Sequence, residues 1–301
     1  MEQSRAQQES ARRIGPFRLI TRLDPPGSPL PCRRFVARTE DGEHTVLLST
    51  PLPGTDPARF AAEAEAARFL LGPWTAPVTG LAGPGEAPWY ASPYVPALPL
   101  PVALAVHGGP LPEATVRAVG AALAEALAAA HGQGLNHAGV SPAAVLLTAD
   151  GPRLTCFGAV RAAAADGERR TGLPDLDPGA LAPEQASGGR PRPPGDVFAL
   201  GAVLAYASTG HTVPERDELP AALRPVISAC LARDPADRPT APALMTALAP
   251  PTAHETVLNS AGTLLTPGWL PGRVVAALAR QSAELLAAEL PVAQTPEPAA
   301  V

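Results

Sequence analysis

Apolar and polar residues alternate in short runs over the first third of the chain, and helical spacing takes over afterwards. Runs at 17–23 and 34–39 predict strands, and the Asp41-Gly42 turn dipeptide leads into another at 44–50. Thr55 or Asp56 can cap a helix with Pro57 in its first turn. Its apolar stripe is Phe60, Ala64, Ala67 and Leu71, and Gly72 ends it. Short strands at 77–81 and 89–95 complete a small lobe of five strands and one helix. Pro112 opens a long helix to about Ala130, with Val116, Val119, Leu123 and Leu127 on one face. A loop-rich stretch, 132–192, precedes a mostly apolar helix at 196–208 that should be buried, and shorter helices follow at 221–232 and 241–248. The last helix, 272–290, carries the stripe Val274, Leu278, Gln281 and Leu285, with Trp269 just before it. Packing on the chain's own large lobe is the simpler expectation for it, and a partner-binding face is the alternative. The organisation is α+β: a disordered start (1–13), a β-rich lobe (14–96), a larger helical lobe (97–249), a linker (250–270), the final helix (271–290) and a disordered tail (291–301). No internal repeat is visible.

Composition narrows the class. The 301 residues suffice for one large domain with a sizeable core. Aromatics are only 4%, so that core must be built largely from Leu, Val and Ala. A net charge of −5 argues against a general nucleic-acid binder. Cys32, Cys156 and Cys230 are odd in number and widely spaced, which fits a reduced, cytoplasmic protein better than a disulfide framework or zinc site. The N-terminus lacks the apolar stretch of a secretory signal, and the most apolar run, 116–130, is too short to span a bilayer and contains Glu125. All 23 basic residues are arginine; the chain has no lysine.

Four segments carry the candidate chemistry. They are His137-Ala138-Gly139-Val140-Ser141-Pro142-Ala143-Ala144-Val145-Leu146-Leu147, then Cys156-Phe157-Gly158, Ala182-Pro183-Glu184, and Asp196-Val197-Phe198-Ala199-Leu200-Gly201. In order and separation they resemble the catalytic loop, metal-binding triplet, activation-segment end and following helix of actinobacterial serine/threonine protein kinases. The resemblance covers about 14–248 and implies a bilobal protein-kinase-like fold.

The resemblance also implies which positions depart from an active enzyme. The loop at 23–31, where the family has a glycine-rich phosphate cover, keeps only Gly27 among four prolines, which have no N–H to offer. Leu48 stands where the phosphate-gripping lysine belongs, and its ion-pair partner matches Glu63, which should be solvated or paired with an arginine. In the catalytic loop Gly139 replaces the proton-accepting aspartate, Ser141 the lysine and Ala144 the metal-binding asparagine. Cys156 replaces the metal-binding aspartate; a buried, inert cysteine is the simpler reading, and a redox-sensitive or zinc-binding thiol the alternative. Asp177 takes the place of a substrate-facing threonine, and the substrate-docking region at 210–219 looks shortened. Structural positions match: His137, Phe157, Gly158, Glu184 with its partner Arg238, and Asp196 holding the catalytic-loop backbone.

These replacements lead to the expectation of a pseudokinase, not an enzyme, with no cofactor and no ATP or Mg²⁺ binding. It would act as a scaffold for a protein partner such as an active kinase or other signalling protein, away from nucleic acid and membrane. Two alternatives stand beside it: a nucleotide or small-molecule sensor, and an unorthodox serine/threonine kinase using other acids, such as Glu63 or Asp166, for metal. A cleft filled by Leu48, Phe157 and the proline-rich loop would favour the scaffold; an oxygen-ligand pair facing the cleft would favour the enzyme.

Overall fold

The computed structural model describes residues 13–25, 30–173, 176–215, 217–248, 265 and 268–289. Gly27, most of the expected linker at 250–270, and the tail at 291–301 lie outside them.

Among the described residues the small lobe is one antiparallel sheet with a helix against it. Its strands are β1 (Arg13–Ile14), β2 (Phe17–Arg22), β3 (Cys32–Thr39), β4 (Thr45–Pro51), β5 (Gly80–Leu81) and β6 (Tyr90–Pro93), in the order β1-β2-β3-β4-β6-β5. The sheet thus has one strand more than the five expected, because Gly15, at φ 54°, turns Arg13–Ile14 back onto Phe17 and Arg18. Helix α1 (Pro57–Ala67) begins as read from the sequence: Asp56 accepts hydrogen bonds from the N–H groups of Ala58 and Arg59, satisfying two otherwise orphan donors. Phe60, Ala64 and Ala67 are its buried face.

The two faces of the small-lobe sheet differ in what they meet. Phe17, Ala37, Val46, Leu48, Trp89 and Ala91 pack together on one face. Strand period two puts Cys32, Arg34 and Val36 of β3 and Leu47 and Ser49 of β4 on the other, towards the large lobe.

A second sheet, β7 (Ala97–Pro99), β8 (Val145–Thr148) and β9 (Gly151–Leu154), opens the large lobe. It lies partly inside the stretch 132–192, which is therefore less irregular than expected. Helices α2 (Leu100–His107), α3 (Glu113–Gly132), α4 (Ala159–Ala163), α5 (Pro183–Ala186), α6 (Pro193–Thr209), α7 (Arg224–Cys230) and α8 (Ala241–Leu248) complete it. The core follows from the alanine-rich composition, since small side chains let helices approach closely. A Cβ on Gly120 of α3 would lie 2.7 Å from Leu204 of α6 and 2.9 Å from Leu248 of α8.

Helix α9 (Gly272–Glu289) packs on its own chain, as the simpler expectation had it. Val274, Leu278 and Leu285 are buried, and Gln281 Oε1 accepts from the Ala97 N–H at 3.0 Å. Thr115 Oγ1 donates to Trp269 O and the Trp269 indole N–H donates to Ala149 O, which seats the start of this segment. Among the described residues no helix is long and apolar enough to cross a membrane.

Candidate functional site in the interlobe cleft

The cleft between the lobes is organised by Arg34. On β3 it pairs directly across from Ser49 of β4, and its side chain is fully buried. Its Nε donates to Asp24 Oδ2 at 2.9 Å and its Nη2 to Asp24 Oδ1. The guanidinium also crosses to the large lobe: Nη1 donates to Thr155 Oγ1 and Nη2 to Ala143 O, each at 2.9 Å. Thr155 in turn donates to Ala144 O. One cation therefore ties Asp24, β3, the catalytic-loop segment and the residue before Cys156 together. Its charge is balanced by a buried carboxylate and its donors by oxygens, which a buried guanidinium requires.

Leu48 packs into the interior of the small lobe, the simplest expectation for it, and so does not face the cleft as its match to the lysine position would require. Its side chain lies in the cluster with Phe17 and Trp89, on the face turned away from the cleft. Ser49, one residue on, faces the cleft, where it lines a cavity with Leu47, Tyr90, Ser92 and Cys156. The run Val46-Leu47-Leu48 is apolar on both faces, so the sequence does not reveal which residue points inward.

Leu47, Ala97 and Leu146 are buried together, and Leu23 and Tyr94 pack against them. Leu23, Leu47 and Arg34, rather than Leu48, lie on the cleft side of the small lobe.

Neither alternative metal carboxylate is free in the cleft. Glu63 accepts from Arg161 Nε at 2.8 Å, and the two charges approach to 2.6 Å. This is the arginine pairing anticipated for it. Asp166 meets Arg170 at 3.0 Å. Among the described residues no group of three or more His, Cys, Asp or Glu could hold a metal ion.

Cys156 and Gly139 are tightly coupled. Cys156 holds φ 63°, a left-handed backbone uncommon for a non-glycine residue. Its carbonyl oxygen sits where a side chain on residue 139 would begin: a Cβ on Gly139 would lie 1.9 Å from it. His137 is buried and its ring meets Phe157 edge-on at 5.5 Å. Burial holds its imidazole down at about 4, so the ring is neutral at neutral pH. Ser141 caps the short 3₁₀ turn Pro142–Ala144 by accepting from the Ala144 N–H.

The chain matches serine/threonine-protein kinase AfsK of Streptomyces coelicolor at 33% identity over 290 residues, 89% of this chain and 35% of that protein. It matches the probable serine/threonine-protein kinase PkwA of Thermomonospora curvata at 35% over 257 residues, 78% of this chain and 34% of that protein. Serine/threonine-protein kinase PknK of Mycobacterium tuberculosis matches at 36% over 64% of this chain and 20% of that protein. The chain is a homologue of these actinobacterial serine/threonine protein kinases. The chain spans about a third of the length of AfsK and PkwA. No family model matches it. These relatives correct the expectation of a non-enzyme: proteins named as serine/threonine kinases match most of the chain.

The kinase-like scaffold is intact around the cleft. Asp196, at the start of α6, accepts from the N–H groups of His137 at 2.8 Å and Ala138 at 2.7 Å, and from His131. Glu184 and Arg238 form two parallel bonds at 2.7 and 2.9 Å. The Arg238 side chain is fully buried, while that of Glu184 is 32% exposed. Arg238 also donates to the carbonyls of Ala232, Pro194 and Arg233 and lies over the Phe198 ring. Replacing Glu184 with Ala strands a buried cation and should cost about 3 kcal/mol in urea unfolding. In the double mutant with Arg238→Ala the loss should be smaller than the sum of the singles. Additive losses would mean that the pair carries no coupling.

Asp177 accepts from the Gly179 N–H and from Thr212 Oγ1, so it serves local structure. Between Thr209 and Arg224 the described residues contain no helix, in line with the shortening expected at 210–219.

Sequence reasoning missed three arginines that hold the site. Arg34 bridges the lobes, Arg161 pairs with Glu63, and Arg170, fully buried, donates to the carbonyls of Ala164, Ala165, Gln185 and Gly189. The available clue to Arg34 was its spacing: it falls between Cys32 and Val36 on one strand face, where an arginine needs a buried acceptor.

Proposed function

We propose that the cleft of this kinase homologue is a nucleotide-responsive site in which Arg34 serves as the phosphate-binding cation. The observation that carries this is the pairing of Arg34 directly across from Ser49, with donors to both lobes. The chain has no lysine, and Arg34 is a cation aimed into the cleft from the neighbouring strand. Its planar fork suits phosphate oxygens as it suits Asp24. A polyphosphate would displace Asp24 from the guanidinium, and the base would enter only when Leu23, Leu47 and Leu146 part. Binding is thereby coupled to a change in lobe orientation.

A second reading, residual phosphoryl transfer, is favoured by the match to proteins named as kinases over most of the chain. In that case Arg34 would bear the charge stabilisation that such transfer depends on.

Thermal unfolding tests the proposal. At 100 times Kd a ligand should stabilise the protein by about 2.7 kcal/mol, and Tm should rise with ATP and less with adenosine. No rise, or equal rises with both, would overturn a role for Arg34 in holding phosphate. Radiolabel transfer from ATP to a generic protein substrate, measured with Mg²⁺ and with Mn²⁺, tests the second reading.

A further inference from the structure

Cys32 of β3 and Cys156 come from different lobes, 124 residues apart in sequence, and their sulfurs are 3.9 Å apart in the buried cleft. Both are free thiols, 3% and 4% exposed. They line one side of a cavity with Pro31, Phe60, Tyr90 and Phe157. Arg34 stands two residues from Cys32 on the same strand face, and its guanidinium bonds Thr155, the neighbour of Cys156. A donor from Cys32 and the charge of Arg34 hold the Cys156 thiol below its ordinary range. The third cysteine, Cys230, is buried in α7, where burial pushes its thiol up to about 12.

The geometry points to an oxidisable interlobe dithiol: hydrogen peroxide converts Cys32 and Cys156 to a disulfide that staples the small lobe to the large one. In the first step the Cys156 thiolate attacks one peroxide oxygen and the O–O bond breaks. Cys156 becomes a sulfenic acid, and the departing hydroxide takes up the thiol's proton to form water. In the second step the Cys32 sulfur attacks the sulfenic sulfur. The S–S bond forms, the S–O bond breaks, and the leaving hydroxide takes the Cys32 proton as a second water. Both thiols are oxidised by one equivalent of peroxide, which is reduced to two waters. The sulfurs must approach about 2 Å closer to reach disulfide length, a movement within reach of side-chain rotation and slight lobe closure.

The test uses the full chain under native conditions with hydrogen peroxide as probe, followed by thiol labelling in denaturant and tryptic mass spectrometry. Reactive thiols should fall from three to one. Peptides 23–33 and 154–161 should appear joined, and dithiothreitol should separate them. Tm should rise by at least about 5 °C, because the cross-link restricts the unfolded chain. Cys230→Ser should leave the linkage unchanged. Cys32→Ser should abolish it and leave a dimedone-reactive sulfenic acid at residue 156. Should Cys32→Ser fail to fold, the wild-type peptide map decides by itself. Linkage through Cys230, over-oxidation without linkage, linkage formed only in unfolded protein, or no reaction of the native thiols would each overturn the proposal.

Discussion

Replacing Arg34 with alanine should cost about 3–5 kcal/mol of folding stability, among the largest losses available to a single substitution outside the apolar core. The reason is what remains. Asp24 is 4% exposed and would be left with a charge and no cation. Thr155 and the Ala143 carbonyl would each lose a donor, so the damage reaches the large lobe as well. The double variant Arg34→Met with Asp24→Asn should be markedly more stable than Arg34→Ala, because it removes the charge pair instead of breaking it. Urea unfolding of the wild type and both variants decides. If Arg34→Ala loses less than about 1 kcal/mol, water reaches Asp24 and the bridge does not hold the lobes together.

Introducing the family's aspartate at residue 139 should unfold or rearrange the catalytic-loop segment. A Cβ there would lie 1.9 Å from the Cys156 carbonyl oxygen and 3.1 Å from Ala159 Cβ, and backbone cannot yield as a flexible side chain can. We expect Gly139→Asp to lower stability by more than about 3 kcal/mol, with Gly139→Ala close behind, since the clash begins at Cβ. A circular-dichroism melt of both variants checks this. If Gly139→Ala melts with the wild type, the two segments are not packed this closely. Leu48→Lys should also destabilise, because it would place an ammonium among Phe17, Ala37 and Trp89, on the sheet face away from the cleft.

Sequence reasoning succeeded where a contact is announced by a local string. His137 with Phe157, Asp196 with the catalytic-loop N–H groups, and Glu184 with Arg238 all meet as their motifs imply. It failed where three-dimensional pairing decides. The match of Leu48 to the lysine position is one residue out of step with the cleft-facing Ser49, because a strand with apolar residues on both faces gives no alternation to read. Arg33-Arg34 reads at first as a surface basic pair; the Cys32-Arg34-Val36 spacing hints that Arg34 points inward, and strand pairing fixes it. The acceptors of Arg34 are Asp24, Ala143 and Thr155, up to 121 residues away. The partner of Glu63 proved to be Arg161, 98 residues on, which no helix-local pattern could signal.

The Arg34 bridge also sets a threshold for anything that would enter the cleft. If parting the lobes costs about 3 kcal/mol, the open form is less than about 1% of the population, and apparent affinity falls short of intrinsic affinity by more than about 100-fold. A ligand held with an intrinsic Kd of about 1 μM would then act only above roughly 0.1 mM. Nucleotides present at millimolar levels would pass this filter, and scarce or weakly held ones would not. The same latch that keeps the cleft closed would thereby make it answer to abundance.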